Sequence, residues 1–294
     1  MLRIGLFLLT NMAVILVASV TMSILGVEPY LQESGLNLTS LLIFCAIFGF
    51  SGSLISLFIS KWMAKRSTGT QIIETPRTPD ERWLYETTRE LAQKANIGMP
   101  DVGIFPAQES NAFATGWNKN KALVAVSQGL LQRFDRNEAR AVIAHEIGHV
   151  ANGDMITLSL VQGVVNTFVM FFARIIGYTV DKVVFKNERG HGIGFYIATF
   201  VAEMILGILA SIIVMRFSRY REYRADVAGA TLADKQSMIG ALDRLRQEQQ
   251  AQMPSSMPDS MQAFGIRGGV KQKLGKLLSS HPPLEDRIRA LQQL

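Results

Sequence analysis

Residues 135–154 read DRNEARAVIAHEIGHVANGD, and how the chain is understood turns on this stretch. Asp135 followed by Glu138 is a capping-box pattern that starts a helix, and Asn152-Gly153 supplies a stop. Inside that helix, His145-Glu146-Ile147-Gly148-His149 sets two imidazoles four residues apart, on one face and about one turn from each other. Both can reach a single Zn2+ at about 2.0–2.1 Å. Glu146, one position after the first histidine, is placed to approach a water on such an ion. The motif uses two of only four histidines in the chain.

Two imidazoles leave a catalytic zinc one protein ligand short. The single cysteine, Cys45, can form neither an internal disulfide nor a thiolate cage, so any further ligand must be a histidine or a carboxylate. No histidine follows within a few residues. Arg221-Glu222-Tyr223-Arg224-Ala225-Asp226 instead offers a Glu and an Asp four apart on one helix face. That spacing suits Glu222 as a ligand with Asp226 behind a ligating histidine. Alone, such a pair is equally read as solvated or held by the neighbouring arginines.

Outward from these motifs the chain is apolar. Charged residues make up 18% of the 294, against a usual share of about 25%. With 48% hydrophobic residues, disorder over most of the length is excluded, and the net charge of +6 excludes an acidic solvating chain. The shortage of charge is concentrated in segments. Residues 4–27 and 34–60 carry none, and each is long enough to cross a bilayer, which takes roughly 20 residues. The first exceeds a signal-peptide core and lacks a clean small-x-small cleavage site, so it is read as retained. Residues 155–180, interrupted by Arg174, and 192–215, interrupted by Glu203, are two further candidates.

Flanking charge sets orientation. Arg3 precedes the first span and Lys61, Lys65 and Arg66 follow the second, while Arg216, Arg219, Arg221 and Arg224 follow the fourth. Both hairpins then return to the cytoplasm. His149 and Glu222 are separated by the third and fourth segments, and an even number of crossings leaves them on one side of the membrane. An intramembrane carboxylate usually faces protein or water, so Glu203 is read as structurally paired. Arg174 is placed nearer the outer end, where it could snorkel to the headgroups, and the two are not expected to be level.

The remaining stretches read as soluble. Thr78-Pro79-Asp80-Glu81 starts a helix that runs to about Gly98. Residues 102–105 and 122–127 have strand character. Between them, residues 111–116 and 117–121 form a loop or an edge strand. Helices are expected over 217–232 and 237–250, and residues 253–269, rich in Pro, Ser, Gly and Met, as a flexible loop.

Taken in order, the hairpin, Asn111-Ala-Phe-Ala-Thr-Gly116, His145-Glu-Ile-Gly-His149, Asn152-Gly-Asp154, Glu222-x-x-x-Asp226 and Ser280-His-Pro282 resemble the HtpX family of bacterial membrane-bound zinc endopeptidases. That family is kin to the CAAX prenyl endopeptidases and the mitochondrial membrane protease Oma. The resemblance covers essentially the whole chain. It implies an α-helical membrane protein with up to four transmembrane helices and an α+β gluzincin-type peptidase domain. It also implies one Zn2+ per chain on His145, His149 and Glu222, with Glu146 as catalytic base and the active site and both termini on the cytoplasmic side of the inner membrane. The role it implies is stress-linked quality control of membrane proteins.

Further expectations follow. The domain organisation expected is a transmembrane hairpin over 1–62, a first peptidase part over 63–154, a second hairpin over 155–215 and a second peptidase part over 216–294. Asp226 would orient a ligating histidine. His281 and Arg287, in a segment resembling a C-terminal His-Pro segment of relatives, are the candidates to share oxyanion charge. Alternatively, His281 caps the following helix and Arg287 pairs with Glu285 or a distant carboxylate. Asn111, Ala112, Phe113 and Ala114 resemble the family's edge strand, on which an extended substrate would pair; a plain surface turn is the competing account. Expected partners are membrane-protein and unfolded polypeptide substrates and the lipid bilayer, with functional overlap with an ATP-dependent membrane protease and no nucleic acid. Two other readings stay open, a non-catalytic adaptor with a structural zinc and an intramembrane-cleaving protease. The charged start of the zinc helix, Asp135 to Arg140, argues against immersion in lipid, and three evident ligands argue against a closed structural site.

Overall fold

The boundaries of the helices are set by local chemistry in a computed structural model that describes residues 37–188, 190–251 and 279–294. The expected first span, residues 4–27, and the expected loop, 253–269, lie outside the described residues. In chain order the elements are α1 (Leu38–Thr68), β1 (Gln71–Ile72), α2 (Pro79–Lys94), β2 (Asp101–Phe105), β3 (Ala112–Thr115), β4 (Leu123–Ser127), α3 (Gln128–Arg133), α4 (Arg136–Asn152), α5 (Asp154–Val183), α6 (Ile193–Leu232), α7 (Lys235–Gln250) and α8 (Leu284–Gln292).

The capping box read at Asp135 is present, and the helix start read at Thr78 is also one. Thr78 Oγ1 accepts from Glu81 N at 3.1 Å at the start of α2, and Asp135 accepts from the backbone of Asn137 and Glu138, each at 2.8 Å, at the start of α4. α2 stops at Lys94, short of the expected Gly98, because Asn96 takes a left-handed φ of 53°. α4 ends where Gly153 adopts φ 65°, a conformation that glycine reaches without steric penalty. Asp154 begins α5 directly after it.

The largest departure from the sequence reading is α6. A membrane segment and a separate following helix were expected, but residues 193–232 form one helix of 40 residues, about 60 Å long at 1.5 Å per residue. No proline interrupts it, and neither glycine after residue 200 breaks it. One continuous helix therefore carries both the apolar segment and Glu222.

Among the described residues three helices, α1, α5 and α6, are long and apolar enough to cross a membrane. The chain divides into two compact units. One comprises Ser159–Ser211 with α1 up to Ile55. Here Gly49 and Gly163 let α1 and α5 approach closely, since a Cβ at Gly49 would meet Thr167 Oγ1 at 2.6 Å and one at Gly163 would meet Ser53 Oγ at 2.8 Å. In the same unit Arg174 Nη1 lies 3.3 Å from Glu203 Oε1 and 3.2 Å from the Met170 carbonyl. The expectation that the two charges are not level is thus corrected: they pair, which lowers the cost of each in an apolar setting.

The other unit, Ser56–Leu158 with Ile212–Leu294, contains a four-stranded sheet of order β1-β2-β4-β3. β2 and β4 are parallel, and the other pairs are antiparallel. Strand alternation divides the side chains between two cores. Ala112, Ala114, Val124 and Val126 join Leu84, Leu91, Val142, Ile143, Ile147 and Leu242, whereas Phe113, Leu123 and Ala125 join Phe105 and Ala64 of α1. Residues 111–116 resolve as the edge-strand alternative: among the described residues β3 pairs only with β4, and its residues are buried.

Candidate metal centre

α4 is buried over nearly its whole second half, so His145, Glu146 and His149 are held in the core of the peptidase unit. The helix rod α6 crosses it at close range. A Cβ on Gly148 would come within 2.7 Å of Ala228 Cβ, and one on Gly229 within 3.3 Å of His145 N. Small residues at this crossing bring Glu222, one to two turns along α6, onto the two histidines.

His149 Nε2 stands 3.3 Å from Glu222 Oε1, and His145 Nε2 stands 3.6 Å from Glu222 Oε2. His145, His149 and Glu222 form a buried group whose ligand atoms lie close enough to hold one metal ion. The ring nitrogens on the far side each face a carboxylate. His145 Nδ1 is 3.0 Å from Asp226 Oδ1, and His149 Nδ1 is 2.8 Å from Asp154 Oδ2. A carboxylate on Nδ1 keeps a proton there, so that Nε2 is the atom that would bind a metal once its own proton is lost. Donors on a tetrahedral ion at about 2.0–2.1 Å would be about 3.3 Å apart. The donor set and its spacing therefore fit a metal such as zinc.

Electrostatics follow from burial. Burial pushes the Glu146 carboxyl above its usual range, against the pull of His145 and His149. Burial works against protonation of His149, but the Glu222 and Asp154 carboxylates overcome it and push it up to about 10. His145 is likewise raised, by Asp226 and Glu222 against its burial.

The C-terminal segment closes the back of the cluster. His281 Nδ1 lies 2.7 Å from Glu222 Oε2, and Pro283, not His281, is the cap residue of α8. Arg287 is fully buried and grips Asp226 with two bonds, Nε to Oδ2 at 2.8 Å and Nη2 to Oδ1 at 2.5 Å. Nη1 of the same residue is 3.5 Å from Glu222 Oε2. The distant carboxylate left open for Arg287 is Asp226, which places the guanidinium behind the ligand cluster. Its Nη1 is buried with no hydrogen-bond partner among the described residues.

Sequence reasoning missed two participants. Asp154, a partner of His149, sits just past the left-handed Gly153, and its signal was an acidic residue immediately after a helix stop. Arg221 is buried and donates to the Asp154 carbonyl at 3.1 Å, while Arg224 reaches Asn152 Oδ1 at 3.2 Å. The arginines flanking Glu222 thus brace the α4–α5 turn and leave Glu222 to the histidines. Asn111 orders the start of β3, its Oδ1 accepting from Ala112 N at 2.9 Å and its carbonyl accepting from Ser127 N at 2.8 Å. Phe113 points into the core against Phe105, with ring centroids 5.4 Å apart.

A histidine pair on one buried helix, a carboxylate from a second, a glutamate between them and three membrane-length helices define a membrane metallopeptidase. The sequence model of Peptidase family M48 matches residues 79–294. The chain belongs to that family. It is 70% identical over 291 residues to Protease HtpX of Hahella chejuensis (strain KCTC 2396), covering 99% of both chains. It is 69% identical over 295 residues to Protease HtpX of Pseudomonas putida (strain GB-1), covering 100% of this chain and 99% of the relative. The crystal structure of S. mikatae Ste24p shares the fold, with a TM-score of 0.62 at 18% identity over 96% of this chain and 67% of the other. The protein is a metalloendopeptidase with membrane helices.

Proposed function

We propose that the chain is a zinc endopeptidase of the bacterial inner membrane that cleaves membrane-protein and unfolded polypeptide substrates on the cytoplasmic side. The observation that carries the residue assignment is the convergence of two Nε2 atoms on one carboxylate at 3.3 and 3.6 Å, with both Nδ1 atoms held by aspartates. His145, His149 and Glu222 hold the ion. When bound there, zinc supplies Lewis acidity that polarises the scissile carbonyl and makes water more acidic.

Glu146 takes the proton of the attacking water on its carboxylate and passes it to the leaving amine nitrogen. Its buried setting raises its basicity toward that task. Asp226 and Asp154 hold the two imidazoles in their ligating tautomer. Arg287 is a positioning residue for Asp226. His281, whose Nδ1 faces the Glu222 carboxylate, has Nε2 buried with no hydrogen-bond partner among the described residues, and as the imidazolium it would donate from Nε2 to the oxyanion.

The substrate backbone adds to β3. Residues 111, 113 and 115 direct their backbone groups at β4, so those of Ala112 and Ala114 point to the open edge of the sheet. Backbone pairing tolerates many side chains, which suits quality control of damaged membrane proteins under stress, overlapping an ATP-dependent membrane protease, with no nucleic-acid partner. The positive flanks of the spans support a cytoplasmic side for both termini and the site.

Full-length protein in detergent, loaded with zinc, tests the reading through cleavage of an unfolded membrane protein. Glu146→Gln should keep one zinc per chain and lose about 10²–10⁴-fold in rate. Equal inactivity of wild type and variant would instead favour an adaptor with a structural ion, and undiminished cleavage by the variant would remove Glu146 as the base.

A further inference from the structure

The β3–β4 connection carries a feature that peptide hydrolysis does not use. Trp117 is 48% exposed, and its ring packs edge-on against Phe58 with centroids 5.6 Å apart. Phe58 belongs to the last turn of the uncharged run of α1, which ends at Ser60. At 1.5 Å per residue, Phe58 is about 3 Å short of that end. Trp62, one turn further along, is 67% exposed. Two exposed indoles therefore stand at the level where a membrane span stops, the depth that tryptophan favours in a bilayer. The third tryptophan, Trp83, lies elsewhere, under Arg136.

Charge accompanies the rings. Lys65 and Arg66 of α1 and Lys119 and Lys121 of the loop are exposed. The carboxylate of Asp101 in the same region is held by Lys61 at 2.9 Å. Lys61 also donates to the Lys121 carbonyl at 3.0 Å, which ties the loop to the helix end.

We propose that residues 117–121, together with the end of α1, form a headgroup-level anchor that binds anionic phospholipid through Trp62, Trp117, Lys119 and Lys121. Only Thr115 and Gly116 separate the loop from the edge positions of β3, so the anchor holds the substrate-pairing strand beside the surface from which a membrane protein emerges. The lipid contact stands on the rings and charges alone. Its kinetic consequence rests on β3 being the substrate edge.

The test uses full-length protein with Trp62→Phe and Trp83→Phe, leaving Trp117 as the sole indole, reconstituted into vesicles of phosphatidylcholine with or without phosphatidylglycerol. A headgroup spin-labelled lipid should quench Trp117 strongly and aqueous iodide weakly, and quenching should be greater with the anionic lipid. Adding Lys119→Glu and Lys121→Glu should at least halve headgroup quenching in anionic vesicles and leave it unchanged in phosphatidylcholine. Strong iodide quenching with no headgroup quenching overturns the proposal, and charge-insensitive headgroup quenching overturns its anionic part. In a second measurement, Trp117→Ser in the otherwise native chain should raise KM for a membrane-anchored substrate about fivefold, while hydrolysis of a soluble peptide is unchanged. An unchanged KM with quenching intact would count against β3 as the substrate edge and not against the lipid contact.

Discussion

Gly148→Ala adds one methyl group at the crossing of α4 and α6. The new Cβ would lie 2.7 Å from Ala228 Cβ, 3.4 Å from the Ala225 carbonyl oxygen and 3.5 Å from Ala225 Cα. Carbon atoms rest comfortably at about 3.5–4.0 Å, so the helices must separate by about 1 Å. No rotamer relieves the contact, because Ala228 ends at its Cβ. Ala225 sits between Glu222 and Asp226, so the strain falls on the segment that carries both carboxylates. Metal sites hold their ligands within about 0.2 Å, and a 1 Å misplacement of reacting groups costs about 10²-fold in rate. Zinc affinity should fall at least tenfold by chelator competition, kcat/KM on an unfolded substrate by about 10²-fold, and stability by about 1–3 kcal/mol. Gly207→Ala is the control: it lies on the same α6, and a Cβ there meets nothing within 4 Å. It should retain full activity. If Gly148→Ala keeps wild-type zinc affinity, turnover and Tm, the close crossing does not set the ligand geometry.

Three other perturbations probe separate links. Asp154→Asn preserves shape but replaces the acceptor at His149 Nδ1; metal affinity measured against a competing chelator should drop 10–100-fold. The metal-free His149, pushed up to about 10 from an ordinary 6.5, stabilises the apoprotein fully below about pH 6.5, and that contribution is lost as pH rises through 10. Zinc must displace this proton, so between pH 6.5 and 8.5 apparent affinity should rise about tenfold per pH unit for each proton released. Calorimetry in two buffers of different ionisation enthalpy would reveal the release, and its absence would contradict the buried charge cluster. Asp135→Ala removes the acceptor for two backbone N–H groups. Chemical denaturation should show a loss of about 0.5–2 kcal/mol with catalysis preserved, since the cap lies ten residues before His145.

The parts of the site legible in the sequence are those whose geometry is local. The two histidines needed only a helix between Asp135 and Gly153, and both boundaries are written in side chains that satisfy their own neighbouring backbone. Glu222 and Asp226 were legible as a pair because four residues on a helix place them on one face. Their partners were not. Arg287 grips Asp226 from 61 residues further along the chain, and His281 meets Glu222 across 59. Arg174 and Glu203 were judged out of register from residue counts on separate segments, but the register between α5 and α6 is decided by packing.

By itself the sequence determined the metal-binding helix, the apolar segments, the strands β2 and β4 and the type of chemistry, because these rest on periodicity, capping and spacing within a few turns. Only the tertiary structure decided that α6 is one continuous helix, that glycines let it meet α4, that Asp154 backs His149 and that Arg287 grips Asp226. Helix crossing distance and partner choice for a buried charge depend on close packing between distant segments, and on the cost of leaving any buried charge without a counterpart.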